Sequence, residues 1–127
     1  MNLGEYRYED LFKDTHSEEE AYNWCLRTGL LPTVRICACG EVLMLRTRLE
    51  RVSGFFLRCP RAACRAEYSV RCGTWFEGSH MSLCQIVRFL YFWVRDNVRQ
   101  EEMMFQLGIR SEHTVVDWKK RCRYVCE

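Results

Sequence analysis

A small α+β fold is predicted by three features of this 127-residue sequence. Short β-prone runs lie between residues 33 and 78, closely spaced cysteine pairs sit at the ends of those runs, and the apolar pattern switches to helical spacing beyond Gly78. A chain of this length forms one compact domain or two small ones sharing a core. Four segments follow: an acidic arm over 1–16, an N-terminal helix over 17–32, a cysteine-clamped β region over 33–78 and a trihelical region over 79–127.

Taken in order, the first sixteen residues read as a loosely held acidic arm. Residues 1–24 carry seven acids against Arg7 and Lys13, a net −5, so the other 103 residues carry +7 of the overall +2. Ser17-Glu18-Glu19-Glu20 is a capping box, in which a hydroxyl and a carboxylate satisfy backbone N–H groups that have no partner within the helix. Ala21, Trp24, Cys25 and Thr28 then share one face of a helix that Gly29 stops. From Thr33 onward, Val42–Leu45, Gly54–Leu57 and Tyr68–Val70 are strand-like runs between polar turns, too short to be stable without a clamp.

The trihelical region starts at Ser82, a cap for a helix whose Leu83, Ile86, Val87, Leu90 and Val94 repeat at helical spacing, widened by Phe89, Phe92 and Trp93. Asn97 ends that helix. A second runs from about Arg99 to Leu107 with Met103, Met104 and Leu107 inward, and Gly108 makes a tight turn. Ser111 caps a third, with Val115, Trp118, Cys122 and Val125 inside. Its proportions are those of a helix-turn-helix, whose last helix lies in the major groove of DNA.

Nine cysteines are too many, and an odd number, for simple internal pairing. The N-terminus has acids where a secretory signal has bases, so no oxidising compartment is implied and metal binding is the better use of clustered thiols. No apolar run reaches the ~20 residues that span a bilayer. The expectation is a protein that is not secreted and has no membrane partner, nuclear in a eukaryote or cytoplasmic in a bacterium. Cys37-Ala38-Cys39-Gly40 and Cys59-Pro60-Arg61-Ala62-Ala63-Cys64 offer four thiolates, the donor set of structural zinc, so Cys37, Cys39, Cys59 and Cys64 are the expected ligands of a zinc ribbon. The spacings are C-x-C and C-x₄-C rather than the usual C-x-x-C, and Cys72 or His80 remains an alternative to Cys37 or Cys59. Gly40 is expected to let the chain turn so that amide N–H groups point at sulfur. With four closed positions the ion would be structural.

Eight arginines against three glutamates between 35 and 71 give +5, which zinc with four thiolates reduces to about +3. Arg46, Arg48, Arg58, Arg61 and Arg65 are the expected phosphate contacts of this region. On the last helix Glu112, His113, Val116 and Asp117 face outward, with Ser111 and Thr114 at its start. Arg110, Lys119, Lys120, Arg121 and Arg123 are placed for phosphates, His113 for a base edge, and an acid for cytosine N4. Double-stranded DNA is therefore the expected partner, and the alternative left open is a protein-interaction or homodimerising adaptor. Neither a catalytic triad nor a phosphate-binding glycine loop nor a plausible carboxylate pair is present, so no enzyme is expected.

The order of these features resembles the N-terminal region of Merlin-superfamily transposases and the insertion-sequence transposases that share their zinc ribbon. The likeness rests on Cys-x-Cys-Gly, the later cysteine pair and, above all, Tyr68-Ser69-Val70-Arg71-Cys72-Gly73-Thr74-Trp75-Phe76-Glu77-Gly78-Ser79. The helix after Ser82, the turn Leu107-Gly108-Ile109 leading to Thr114-Val115 and Trp118, and Glu19-Glu20-Ala21 through Gly29-Leu30 extend it over about residues 17–125. The resemblance implies recognition of transposon ends by ribbon and helices together, ahead of a nuclease domain with an acidic metal-binding triad. The sequence ends at Glu127, where that domain would start, so no catalytic residue is carried over. A fragment of a transposase and a stand-alone gene derived from one are both compatible with this.

Overall fold

A computed structural model of the chain describes residues 6–47, 55–95 and 99–126, the last three as backbone only. Among the described residues there are five helices and one three-stranded antiparallel sheet, a small α+β fold. The helices are α1 (Tyr8–Asp14), α2 (Glu18–Thr28), α3 (Leu83–Arg95), α4 (Gln100–Leu107) and α5 (Glu112–Cys126), and the strands are β1 (Met44–Thr47), β2 (Phe55–Arg58) and β3 (Glu67–Ser69). The chain divides into two compact units, one made of residues 1–24 and 81–127 and the other of 25–80, with the boundary inside α2.

In the first unit α3 packs against α1, α4 and α5. Its start is a reciprocal capping box: Ser82 Oγ accepts from the Gln85 backbone N–H at 3.1 Å, and Gln85 Oε1 accepts from Ser82 N–H at 3.1 Å. A second acceptor comes from far away in sequence. The Glu18 carboxylate takes the N–H groups of Leu83 (3.1 Å) and Cys84 (3.0 Å), setting a negative charge on the positive end of the helix. Leu83, Ile86, Val87 and Phe89 are buried, as the helical spacing predicts. Val94, assigned to the same stripe, is instead 64% exposed, in the last turn of the helix. Asn97 lies outside the described residues.

The acidic arm is corrected by the structure: residues 8–14 are helical. Tyr8, Leu11, Phe12 and Thr15 recur at i, i+3, i+4 and i+7, a stripe hidden in the sequence by the charges between them. Leu11 and Thr15 are fully buried. The Thr15 carbonyl accepts from Arg88 Nη2 at 2.8 Å and from the Cys84 thiol at 3.2 Å, and Arg88 covers the Phe12 ring with its guanidinium carbon 4.6 Å from the centroid. The Ser17 capping box forms as expected in its first half, Glu20 N–H to Ser17 Oγ at 3.2 Å, while the Glu20 carboxylate takes the His16 N–H instead of that of Ser17.

Gly108 ends α4 in the left-handed conformation (φ 69°), and the following Ile109 N–H returns to the Met104 carbonyl at 2.9 Å. Gln85 of α3 donates to the Leu107 carbonyl at 2.9 Å, fixing the turn. Val115, Trp118 and Cys122 form the buried stripe of α5. In the second unit β2 is central, with Phe56 and Leu57 buried, and β1 and β3 are its neighbours. Arg35, ahead of β1, holds the segment after β3 by donating to the carbonyls of Val70 (3.1 Å) and Cys72.

Candidate metal centre

Four cysteines from two turns converge in the unit formed by residues 25–80. The first turn is closed by Gly40 N–H to the Cys37 carbonyl and Cys37 N–H to the Glu41 carbonyl, both 2.8 Å, and an Ile36–Val42 bridge continues the pairing. Gly40 has φ +97°, and a Cβ there would meet nothing within 4 Å, so glycine is needed for the backbone angle rather than for space. Its own N–H serves a carbonyl; the amide aimed at Cys37 sulfur is that of Cys39. The second turn follows β2, with Cys59 N–H bonded to the Ala66 carbonyl at 2.9 Å and the N–H groups of Cys64 and Arg65 both on the Arg61 carbonyl at 3.0 Å. Arg65 holds φ 48°, a left-handed position without glycine.

The Sγ atoms of Cys37 and Cys64 are 3.7 Å apart, those of Cys39 and Cys59 3.5 Å, and all four lie within 4.8 Å of one another. A tetrahedron with metal–sulfur bonds of about 2.3 Å has edges of about 3.8 Å, whereas a disulfide needs about 2.05 Å. The set therefore fits a metal ion, with donors consistent with zinc, and the thiols are free. The four cysteines brought together are the ones the spacing singles out as candidate ligands, and Cys72 and His80 are not in that cluster.

Thiols this close modify one another. Cys37 is lowered to about 6, first by the backbone N–H of Cys39 and further by the hydroxyl of Tyr68 and the neighbouring thiols. Cys59 is pushed up to about 12, mainly by burial. Cys64 is raised as well: the Ala66 N–H works against the rise, but the bond with Cys37 and burial outweigh it. A divalent cation reverses this pattern, because its charge makes thiolate the favoured form of every ligand. Cys37 and Cys59 are buried, Cys64 is half-buried and Cys39 is exposed. Tyr68, which the sequence reading passed over as a strand residue, places its hydroxyl 3.8 Å from Cys37 Sγ. Nothing in its spacing signals this, since the two residues lie 31 positions apart in the sequence.

The expected basic contacts divide into exposed and engaged groups. Arg46, Arg61 and Arg65 are exposed, whereas Arg58 is paired with Glu67 on the neighbouring strand and lies 5.3 Å from the Phe56 ring centre. Arg48 lies outside the described residues. In the other unit Arg110, Ser111, Glu112, His113, Asp117 and Lys120 are exposed at and along α5, and Thr114 is half-buried. Lys119 donates to Gln100 Oε1 at 3.0 Å. Arg121 lies over the Trp118 ring (4.8 Å) and pairs with Asp117 at 3.9 Å. None of the described helices is long and apolar enough to cross a membrane.

No protein-family model, curated protein or solved structure matches this chain.

Proposed function

We propose that this chain is a zinc-dependent double-stranded DNA-binding module of transposase ancestry, with a zinc ribbon over 33–78 and a helix-turn-helix formed by α4, Gly108 and α5. The observation that carries the reading is the outer face of α5. With Val115, Trp118 and Cys122 turned inward, the exposed groups at its N-terminal end are Arg110, Ser111, Glu112, His113, Val116 and Asp117, mostly phosphate and base-edge partners at the end of the helix that enters a groove. Arg46, Arg61 and Arg65 supply further exposed cations in the unit that carries the four cysteines. Zinc acts as a structural ion, and nuclear or bacterial cytoplasmic placement follows from the DNA partner.

Contact with about six to eight phosphates makes binding fall by orders of magnitude between 50 and 200 mM salt. A fluorescence-anisotropy salt titration on zinc-loaded protein with random duplex measures this, and a flat response removes the proposal. Arg110→Ala is expected to weaken binding to all sequences, and His113→Ala to weaken it at particular base pairs only.

A protein-interaction adaptor is the second reading. Val34, Ile36, Val42, Met44 and Leu45 are each 42–63% exposed near the first metal turn, and Phe105 on α4 is 79% exposed. Light scattering of the protein with and without DNA separates the two readings.

A further inference from the structure

The four sulfurs of the metal centre do not share the same surroundings, and the difference singles out one residue. Cys37 is buried and is approached by two donors, the Cys39 backbone N–H and the Tyr68 hydroxyl, the latter at 3.8 Å. Cys39 is exposed. Tyr68 is held in place by β3, where it stands opposite the buried Leu57 of β2. A metal-bound thiolate has no proton, so between Tyr68 and a coordinated Cys37 the hydroxyl is the donor. Such a bond draws electron density from the sulfur lone pairs and makes that sulfur a poorer nucleophile.

We propose that Tyr68 is an outer-sphere partner of the metal centre, donating to Cys37 Sγ and protecting that ligand, so that Cys39 is the point at which electrophiles and competing ligands reach the ion. This rests on the metal-binding reading of the four cysteines. Tyr68 is thus a positioning residue for the centre rather than a ligand. Partners of this kind change metal affinity by about 10–100-fold when removed.

The test compares zinc- and cobalt-loaded wild type with Tyr68→Phe, which keeps the ring and deletes the donor. Three changes are expected in the variant: zinc affinity in chelator competition falls about 10–100-fold; the sulfur-to-cobalt charge-transfer bands move to lower energy; and iodoacetamide, which in wild type modifies Cys39 before the other ligands, modifies Cys37 alongside it. Peptide mass spectrometry reads the last of these. Unmoved cobalt bands with an unchanged alkylation order overturn the proposal, even if affinity or melting temperature drops, since a packing role alone would give that result. If Tyr68→Phe does not fold, wild type grown with 3-fluorotyrosine, a stronger hydrogen-bond donor, replaces it: its cobalt bands must move to higher energy, and unmoved bands again overturn the proposal. A protein that takes up neither zinc nor cobalt refutes the metal-binding reading itself, which keeps the two failures apart.

Discussion

Tyr6 joins three elements through one hydroxyl and one carbonyl. Its OH donates to Asp14 and accepts from Trp24 Nε1 at 3.2 Å, while its carbonyl accepts from Arg95 Nη2 at 3.1 Å. Burial, followed by the bond to Asp14, pushes the phenol up to about 12. A group raised in the folded state contributes stability that is complete below its unfolded pKa, near 10, and is lost as pH rises through the folded value. Wild type should therefore show an extra loss of stability between about pH 10 and 12 that Tyr6→Phe lacks. Urea midpoints measured for both proteins across that range check it, and parallel curves would show that the phenol plays no such part. At this scale the site was partly legible. The four cysteines followed from the chemistry of clustered reduced thiols, because a ligand type at short spacing is a local property. Tyr68 and Glu18 were not legible, since each acts on a partner remote in the sequence, 31 residues away for Tyr68 and 65 and 66 for Glu18.

Among the elements, capped and strongly periodic segments were legible and the weakly marked ones were not. Ser82 predicts the start of α3, and Gly108 predicts the end of α4, because caps are short-range hydrogen-bonding devices. α1 has Arg7 before it and no hydroxyl or amide cap in the sequence, and its apolar stripe is diluted by Glu9, Asp10, Lys13 and Asp14. Locally the Asp10 carboxylate accepts from the Arg7 N–H at 3.0 Å, and tertiary contacts add to it: Arg88 and Cys84 bond the Thr15 carbonyl, and Tyr8 stacks on Phe92 with ring centres 5.0 Å apart. The Glu18 carboxylate does comparable work for α3. Glu18→Ala removes both acceptors from Leu83 and Cys84 and is expected to cost about 1–2 kcal/mol. It should also quicken alkylation of Cys84, because the raised thiol there (about 12) owes its shift to burial first and to Glu18 next. Glu18→Gln keeps one acceptor and should fall between the two. Equal melting curves for wild type and Glu18→Ala would show that Ser82 alone suffices as the cap.

For the whole molecule, the division into two units separates two sources of order. Residues 1–24 and 81–127 carry helices with large buried side chains, among them Trp118, Phe89 and Ile86. Residues 25–80 carry strands of only three or four residues, which bury too little to hold together by themselves. A bound structural zinc contributes about 10–16 kcal/mol in apparent free energy at neutral pH, far more than such strands can. Removing the metal with a strong chelator should therefore abolish amide protection around β1 to β3 while leaving that of α3 and α5 in place, as hydrogen exchange resolved by segment would record. The linkage to pH has a definite sign. Cys59 and Cys64 are raised, so both hold protons at neutral pH without a cation, and metal uptake must expel them. Calorimetric titration in two buffers of different ionisation enthalpy should show proton release on loading, and affinity should weaken as pH falls. Uptake without proton release would mean that the ion is held by groups other than these thiols.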